Sequence, residues 1–189
     1  MAENKVLFGL TNVHYAVITE GTDGKITYST PVAIPGAVEL STDPAGETSS
    51  FFADNMVYYE ASANQGYEGT VNIAKLPQSF RIDVLGETLV NGGLAESANA
   101  KPKKIALLFE IDGDKKADRF VYYNVSVSRP GTSSKTKEDS TEVNTTELSF
   151  KATPRADGWI KWVTGAETPQ DIYDNFYKSV VEPVDTPSA

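Results

Sequence analysis

Apolar side chains recur at every second position along most of this chain, and that period constrains the fold more than any other feature. In "RFVYYNVSVS", Val121, Tyr123, Val125 and Val127 alternate with Tyr122, Asn124, Ser126 and Ser128. Near the start, "NVHYAVIT" puts Val13, Tyr15 and Val17 on one face and His14, Ala16 and Ile18 on the other, so both faces are expected to be partly covered. "KKIALLFEI" is apolar almost throughout, as a strand buried on both sides must be. Turn signals separate these runs: "GTDGK" at 21–25 before "KITYS", Pro35-Gly36 before Val38 and Leu40, and Asp-Gly in "EIDGDKKAD".

Between residues 41 and 55 the chain is polar until "FFADN", which reads as an extended loop, and 129–145 reads as a second. Then Val57, Tyr59 and Ala61 are expected to pair with Gly69, Val71 and Ile73 across a turn at "NQG" near residue 65. The hairpin's apolar residues fall on one face; Glu60, Ser62, Glu68, Thr70 and Asn72 fall on the other. The period changes twice. Pro77, the stripe of Phe80, Val84 and Leu85, and Gly86 predict a short helix over 77–86. Thr168 as N-cap, Pro169 at the first turn and the stripe Ile172, Phe176, Val180 predict a second. The residues after it, 182–189, read as a flexible tail. The expected fold is an α+β one weighted to β: two packed antiparallel sheets of about eight strands in a β-sandwich, with one or two short flanking helices. The 189 residues, 1–189, suit a single domain.

Composition narrows the function classes. There is no cysteine and only one histidine, which removes most transition-metal chemistry. No apolar run approaches membrane-spanning length, and "MAENKVLFGL" lacks the basic start and apolar core of a secretory signal. With no cysteine either, a cytoplasmic site of synthesis is expected. Net charge is −9, distributed as 4 basic against 12 acidic side chains over residues 1–100 and 13 against 14 over 101–189. A chain so acidic is not built to wrap nucleic acid, since that takes Lys and Arg against phosphate. G-x-S-x-G, G-x-x-x-x-G-K-[ST] and G-x-G-x-x-G are all absent. Glu110, Asp112, Asp114 and Asp118 lie close enough in sequence to suggest a Ca²⁺ loop, but the spacing is not that of an EF-hand and a hairpin turn accounts for it. The Asn-X-Ser/Thr matches at Asn124 and Asn144 fit chance in a chain without a secretion signal. No enzyme, cofactor or metal is expected; surface is what remains.

"FFADNMVYYEASANQGYEGTVNIAKLPQSFRIDVLG" resembles a segment of the major tail proteins of siphovirus-type bacteriophages, where an aromatic-Ala-Asp-Asn motif leads through two strands to a helix ending in Leu-Gly. "NKVLFGLTNVHYAVIT" resembles the opening of that family, and "KKIALLFEIDGDKKADRFVYYNVSVSRP" its mid-chain hairpin. The likeness covers residues 3–165 and implies a structural virion protein of the tail. It further implies that copies form hexameric rings stacked into a tube around a tape-measure protein, between initiator and terminator proteins. By the same resemblance, genomic DNA is expected to pass through without sequence-specific binding, with no membrane partner and with assembly in the host bacterial cytoplasm.

On that reading Glu60, Ser62, Glu68, Thr70 and Asn72 face the lumen, where an acidic wall repels phosphate. Phe51, Phe52, Asp54 and Asn55, at the end of the 41–55 loop, contact neighbouring subunits. The alternative is a monomeric β-sandwich binding module that recognises carbohydrate or a host surface through its aromatic side chains.

Overall fold

The structure, a computed structural model, describes residues 4–21, 25–134, 136 and 144–183. Its strands in chain order are β1 (Leu7–Glu20), β2 (Ile26–Tyr28), β3 (Val32–Ala33), β4 (Ala37–Ala53), β5 (Met56–Ile73), β6 (Thr88–Val90), β7 (Gly93–Ala95), β8 (Ile105–Gly113), β9 (Asp118–Val127), β10 (Thr146–Ala152) and β11 (Lys161–Val163). Two helices, α1 (Gln78–Asp83) and α2 (Gln170–Asn175), complete the described elements. Nine strands form one antiparallel sheet in the order β2-β1-β8-β9-β10-β5-β4, with β3 on β1 and β11 on β9. A separate ribbon pairs β6 with β7.

The large sheet curls until its two halves face each other as the layers of a β-sandwich. Val13 and Tyr15 from β1 and Ile105 and Leu107 from β8 share one core with Val71 and Ile73 of β5 and Leu148 and Phe150 of β10. Ile34, just before β4, donates its N–H to the carbonyl of Val13 at 2.7 Å, which ties the far ends of the ladder together. Helix α1 plugs this core with Phe80, fully buried and set edge-to-face on Tyr15 at 5.0 Å between ring centroids. Full burial of such side chains stabilises by about 1.5–3 kcal/mol each.

A second, smaller core lies on the outer face of the β1–β8–β9 layer. There Ala16, Ala106, Leu108, Val121 and Tyr123 meet Phe176 and Val180 of the C-terminal segment. Residues 105–110 are therefore buried on both sides, as their unbroken apolar run requires. The outer face of the opposite layer, β10, β5 and β4, has no such cover among the described residues.

Several sequence expectations are corrected. Residues 41–53 are not a loop. They continue β4, which pairs with β5 from Ala37↔Ile73 to Ala53↔Met56. The turn of this long hairpin is Asp54–Asn55, both at positive φ, which short polar side chains tolerate. Residue 65 lies inside β5, so Val57, Tyr59 and Ala61 do not pair with Gly69, Val71 and Ile73.

What looked like a turn at "NQG" is a bulge. Ala45 pairs with Gly66 and Gly46 with Asn64, leaving Gln65 as one extra residue on β5. A similar extra residue in β9 lies between Ile105↔Val125 and Leu107↔Tyr122. It sends Val121 and Tyr123 to the second core and Val125 and Val127 to the first, although all four alternate evenly in the sequence. Thr168 is not the N-cap of α2, since Pro169 holds that position; the Thr168 hydroxyl instead accepts from the Gly165 N–H at 2.8 Å. In the 129–145 stretch, residues 129–134, 136 and 144–145 carry no helix or strand, and the others lie outside the described residues. The same holds for 184–189 of the expected tail.

Candidate functional site

Glu110, Asp112, Asp114 and Asp118, at and around the turn between β8 and β9, are the carboxylates whose spacing suggests a metal loop. The structure disperses them. Glu110 is buried and serves as the shared acceptor of a network: Thr11 Oγ1 donates to it at 3.2 Å, Arg119 Nε at 2.8 Å and Tyr177 Oη at 3.4 Å, with the Asn12 amide as fourth donor. Burial pushes this carboxyl up, but the bonds from Asn12, Arg119 and Thr11 and the Arg119 charge outweigh it and hold Glu110 below the ordinary range. Asp114 accepts from the Lys5 N–H at 2.8 Å, and Asp118 accepts from Asn4 at 3.0 Å. Burial raises the Asp118 carboxyl. Among the described residues no group of three His, Cys, Asp or Glu is placed to hold a metal ion. His14 lies against the ring of Tyr177, 4.4 Å between centroids, with Nδ1 2.7 Å from the Asn12 carbonyl.

The uncovered face of β4, β5 and β10 is organised differently. Strand register lays three rows across it: Asp43–Glu68–Lys151, Ser41–Thr70–Ser149 and Glu39–Asn72–Glu147. Every residue in these rows is polar, while the residues between them, such as Val71, Leu148 and Phe150, are buried in the core. Four carboxylates and one ammonium stand on this wall. The ammonium, Lys151 Nζ, lies 2.7 Å from Glu68.

Five residues were expected to share this face, and the structure separates them. Glu68, Thr70 and Asn72 lie on it. Glu60 and Ser62 precede the extra residue Gln65, so they pair with Ser50 and Thr48 and point to the opposite side of the ribbon. The bulge reverses the alternation, and the sequence shows no break there. Conversely Glu39, Ser41 and Asp43 join the face. Ser41 and Asp43 fall in the stretch that the sequence suggests is a loop.

Among the described residues, the far half of the β4–β5 hairpin has neither core nor neighbour. Strand β10 pairs with β5 only between Tyr67 and Ile73, so residues 56–65 of β5 are hydrogen-bonded to β4 alone. At its tip Phe51, Phe52 and Tyr58 are 62%, 65% and 73% exposed, and Met56, Val57 and Tyr59 are exposed beside them. Asp54 and Asn55 form the turn between these aromatics. A two-stranded ribbon of this kind is marginal alone in water, and so large an apolar tip on one chain is the mark of an association surface.

One element was missed entirely, the β6–β7 ribbon. Asn91 and Gly92 occupy its turn, both at positive φ, and the Asn-Gly pair flanked by Leu89-Val90 and Leu94 was the signal available for it.

A search among curated proteins finds no match. The family model described as "Phage tail tube protein" matches residues 2–179, nearly the whole chain. A mainly β sandwich with an uncovered polar wall and an unpartnered aromatic ribbon thus belongs to the phage tail tube protein family.

Proposed function

We propose that this chain is the major tail-tube subunit of a long, non-contractile phage tail. Six copies close into a ring, rings stack around a tape-measure protein between initiator and terminator proteins, and assembly takes place in the cytoplasm of the host bacterium. Genomic DNA then travels through the bore during ejection. The observation that carries this reading is the three-row polar wall, in which Glu39, Asp43, Glu68 and Glu147 face outward from the sandwich with only Lys151 to balance them. Placed around a bore, such a wall repels phosphate and offers it few cations, so DNA slides without the counterion release that drives binding. The ribbon tip supplies the apolar surface that self-association needs.

The test is a charge reversal on the wall. Glu39→Lys with Glu68→Lys should leave tails of normal length, because both side chains are exposed and neither supports the core. Ejection from such particles should slow, since each ring would then offer ammonium groups to the passing phosphates. Unchanged ejection from intact tails would place the wall elsewhere than in the bore.

A further inference from the structure

The polar wall keeps one lysine, the wrong charge for a surface that phosphate must pass. Of the side chains in its three rows, only Lys151 and Asn72 carry nitrogen donors. Both are engaged. Lys151 Nζ lies 2.7 Å from Glu68 Oε1, and Asn72 Nδ2 donates to Glu39 Oε2 at 3.4 Å. Each carboxylate is also the register partner of the donor it takes: Glu68 faces Lys151 between β5 and β10, and Glu39 faces Asn72 between β4 and β5. Directly opposed side chains on one face of a sheet stand about 4.5–5.5 Å apart at Cβ, so the backbone ladder itself brings these pairs together.

The lysine has a structural reason to be there. Asp43 and Glu68 are register partners as well, and like charges directly opposite each other destabilise a sheet. Lys151, on the other side of Glu68, offsets that repulsion. A bare ammonium would nevertheless defeat a phosphate-repelling surface, because each phosphate that bound it would shed its own counterion. The pairing with Glu68 meets both demands at once: the cation is kept and its charge is already answered.

We propose that Glu68 is a masking residue, which occupies Lys151 so that a polyphosphate chain moving along the wall meets no free ammonium. The inference rests on the tube reading and adds to it, since it makes the engagement of one donor matter beyond the total charge of the wall. A cross-strand ion pair shifts occupancy only roughly 1.5- to 5-fold, in keeping with side chains that are 46% and 59% exposed. At one site that factor is small. In a tube it recurs at every subunit, and the phosphates of a long duplex pass all of them. If total acidity alone governed passage, every carboxylate of the wall would count equally.

The experiment follows DNA ejection at low and high salt from phage whose tube carries Glu68→Gln, Glu147→Gln, or Glu68→Gln with Lys151→Gln. All three positions are exposed, so tails of normal length are expected. Glu147 stands four positions from Lys151 on β10, roughly 13 Å along the strand, and its loss removes the same charge while leaving the Lys151 pair in place. Glu68→Gln should slow ejection at least about twofold at low salt, with the difference fading as salt rises. Glu147→Gln should change it far less, and adding Lys151→Gln to Glu68→Gln should restore the wild-type rate. Glu68→Thr, with a side chain that strands favour, frees the same ammonium and should slow ejection in the same way. Equal slowing by Glu68→Gln and Glu147→Gln would overturn the masking and leave a wall that acts by total charge, with the tube reading in place. Slow ejection that persists when Lys151 is also replaced would overturn it too, as would wild-type ejection from Glu68→Gln. Wild-type ejection from Glu39→Lys with Glu68→Lys as well would count against the bore position itself.

Discussion

Glu110 accepts from Thr11 and Asn12 of β1, Arg119 of β9 and Tyr177 of the C-terminal segment, so its replacement strips a shared acceptor from both ends of the chain. Arg119 would be left nearly buried without its carboxylate, although the Tyr173 carbonyl and the rings of Tyr173 and Tyr177 still surround it. Glu110→Gln should cost about 3 kcal/mol in urea unfolding at pH 7. The pH dependence has a definite sign. A carboxyl held low in the folded state stabilises above its ordinary value of about 4.3, and that contribution is lost as pH falls through the lowered folded value. The gap between wild type and Glu110→Gln should therefore narrow below pH about 4.3, and a gap constant down to pH 2 would remove Glu110 from the account. Gly66 makes a second case. It stands at φ +105°, and a Cβ there would meet the Ala152 carbonyl oxygen at 1.9 Å. Gly66→Ala should cost at least about 2 kcal/mol, read from the thermal midpoint, because both strain and clash oppose it.

At the scale of elements, the contrast is between α1 and the far half of the β4–β5 hairpin. The helix has six residues and no side-chain cap, yet it holds its place because Phe80 is fully buried and Asp83 accepts from the Tyr15 hydroxyl at 3.0 Å. Phe80→Ala should cost about 3–5 kcal/mol and be visible in any unfolding measurement. Phe51→Arg with Phe52→Arg should do the reverse. Both rings are exposed on a ribbon that contributes nothing to either core, so the soluble chain should unfold as the wild type does. Assembly should fail. Tubes of normal length from that variant would show that the tip is not an interface.

For the whole molecule, the two outer faces of the sandwich have different fates. One is closed by the chain itself: Phe176 and Val180 pack on it, the Tyr123 hydroxyl donates to the Val181 carbonyl at 2.9 Å, and Arg155 meets Glu182 at 2.7 Å. Burial lifts the Tyr123 hydroxyl, while beside it the Tyr28 hydroxyl is pushed up to about 12, so neither ionises at neutral pH. The other face is left open and acidic. An asymmetric subunit of this kind, closed on one side and wet on the other, suits a wall between an exterior and a bore.

Local chemistry was sufficient for much of this. Alternation gave away the strands, the unbroken run at 105–110 announced burial on both faces, and Pro77 and Pro169 with the apolar stripes after them marked both helices, because each depends on residues only a few positions apart. The quoted segments that resemble tail proteins pointed to the family for the same reason. What the sequence could not carry was register. Alternation runs unbroken past Gln65 and through 121–127, and only pairing with a distant strand shows that an extra residue reverses the faces there. The polar run at 41–50 looked like a loop because it holds no large apolar side chain of its own. It is a strand because β5, opposite it, supplies the backbone partners. Which side chains line the wall is a property of that long-range pairing.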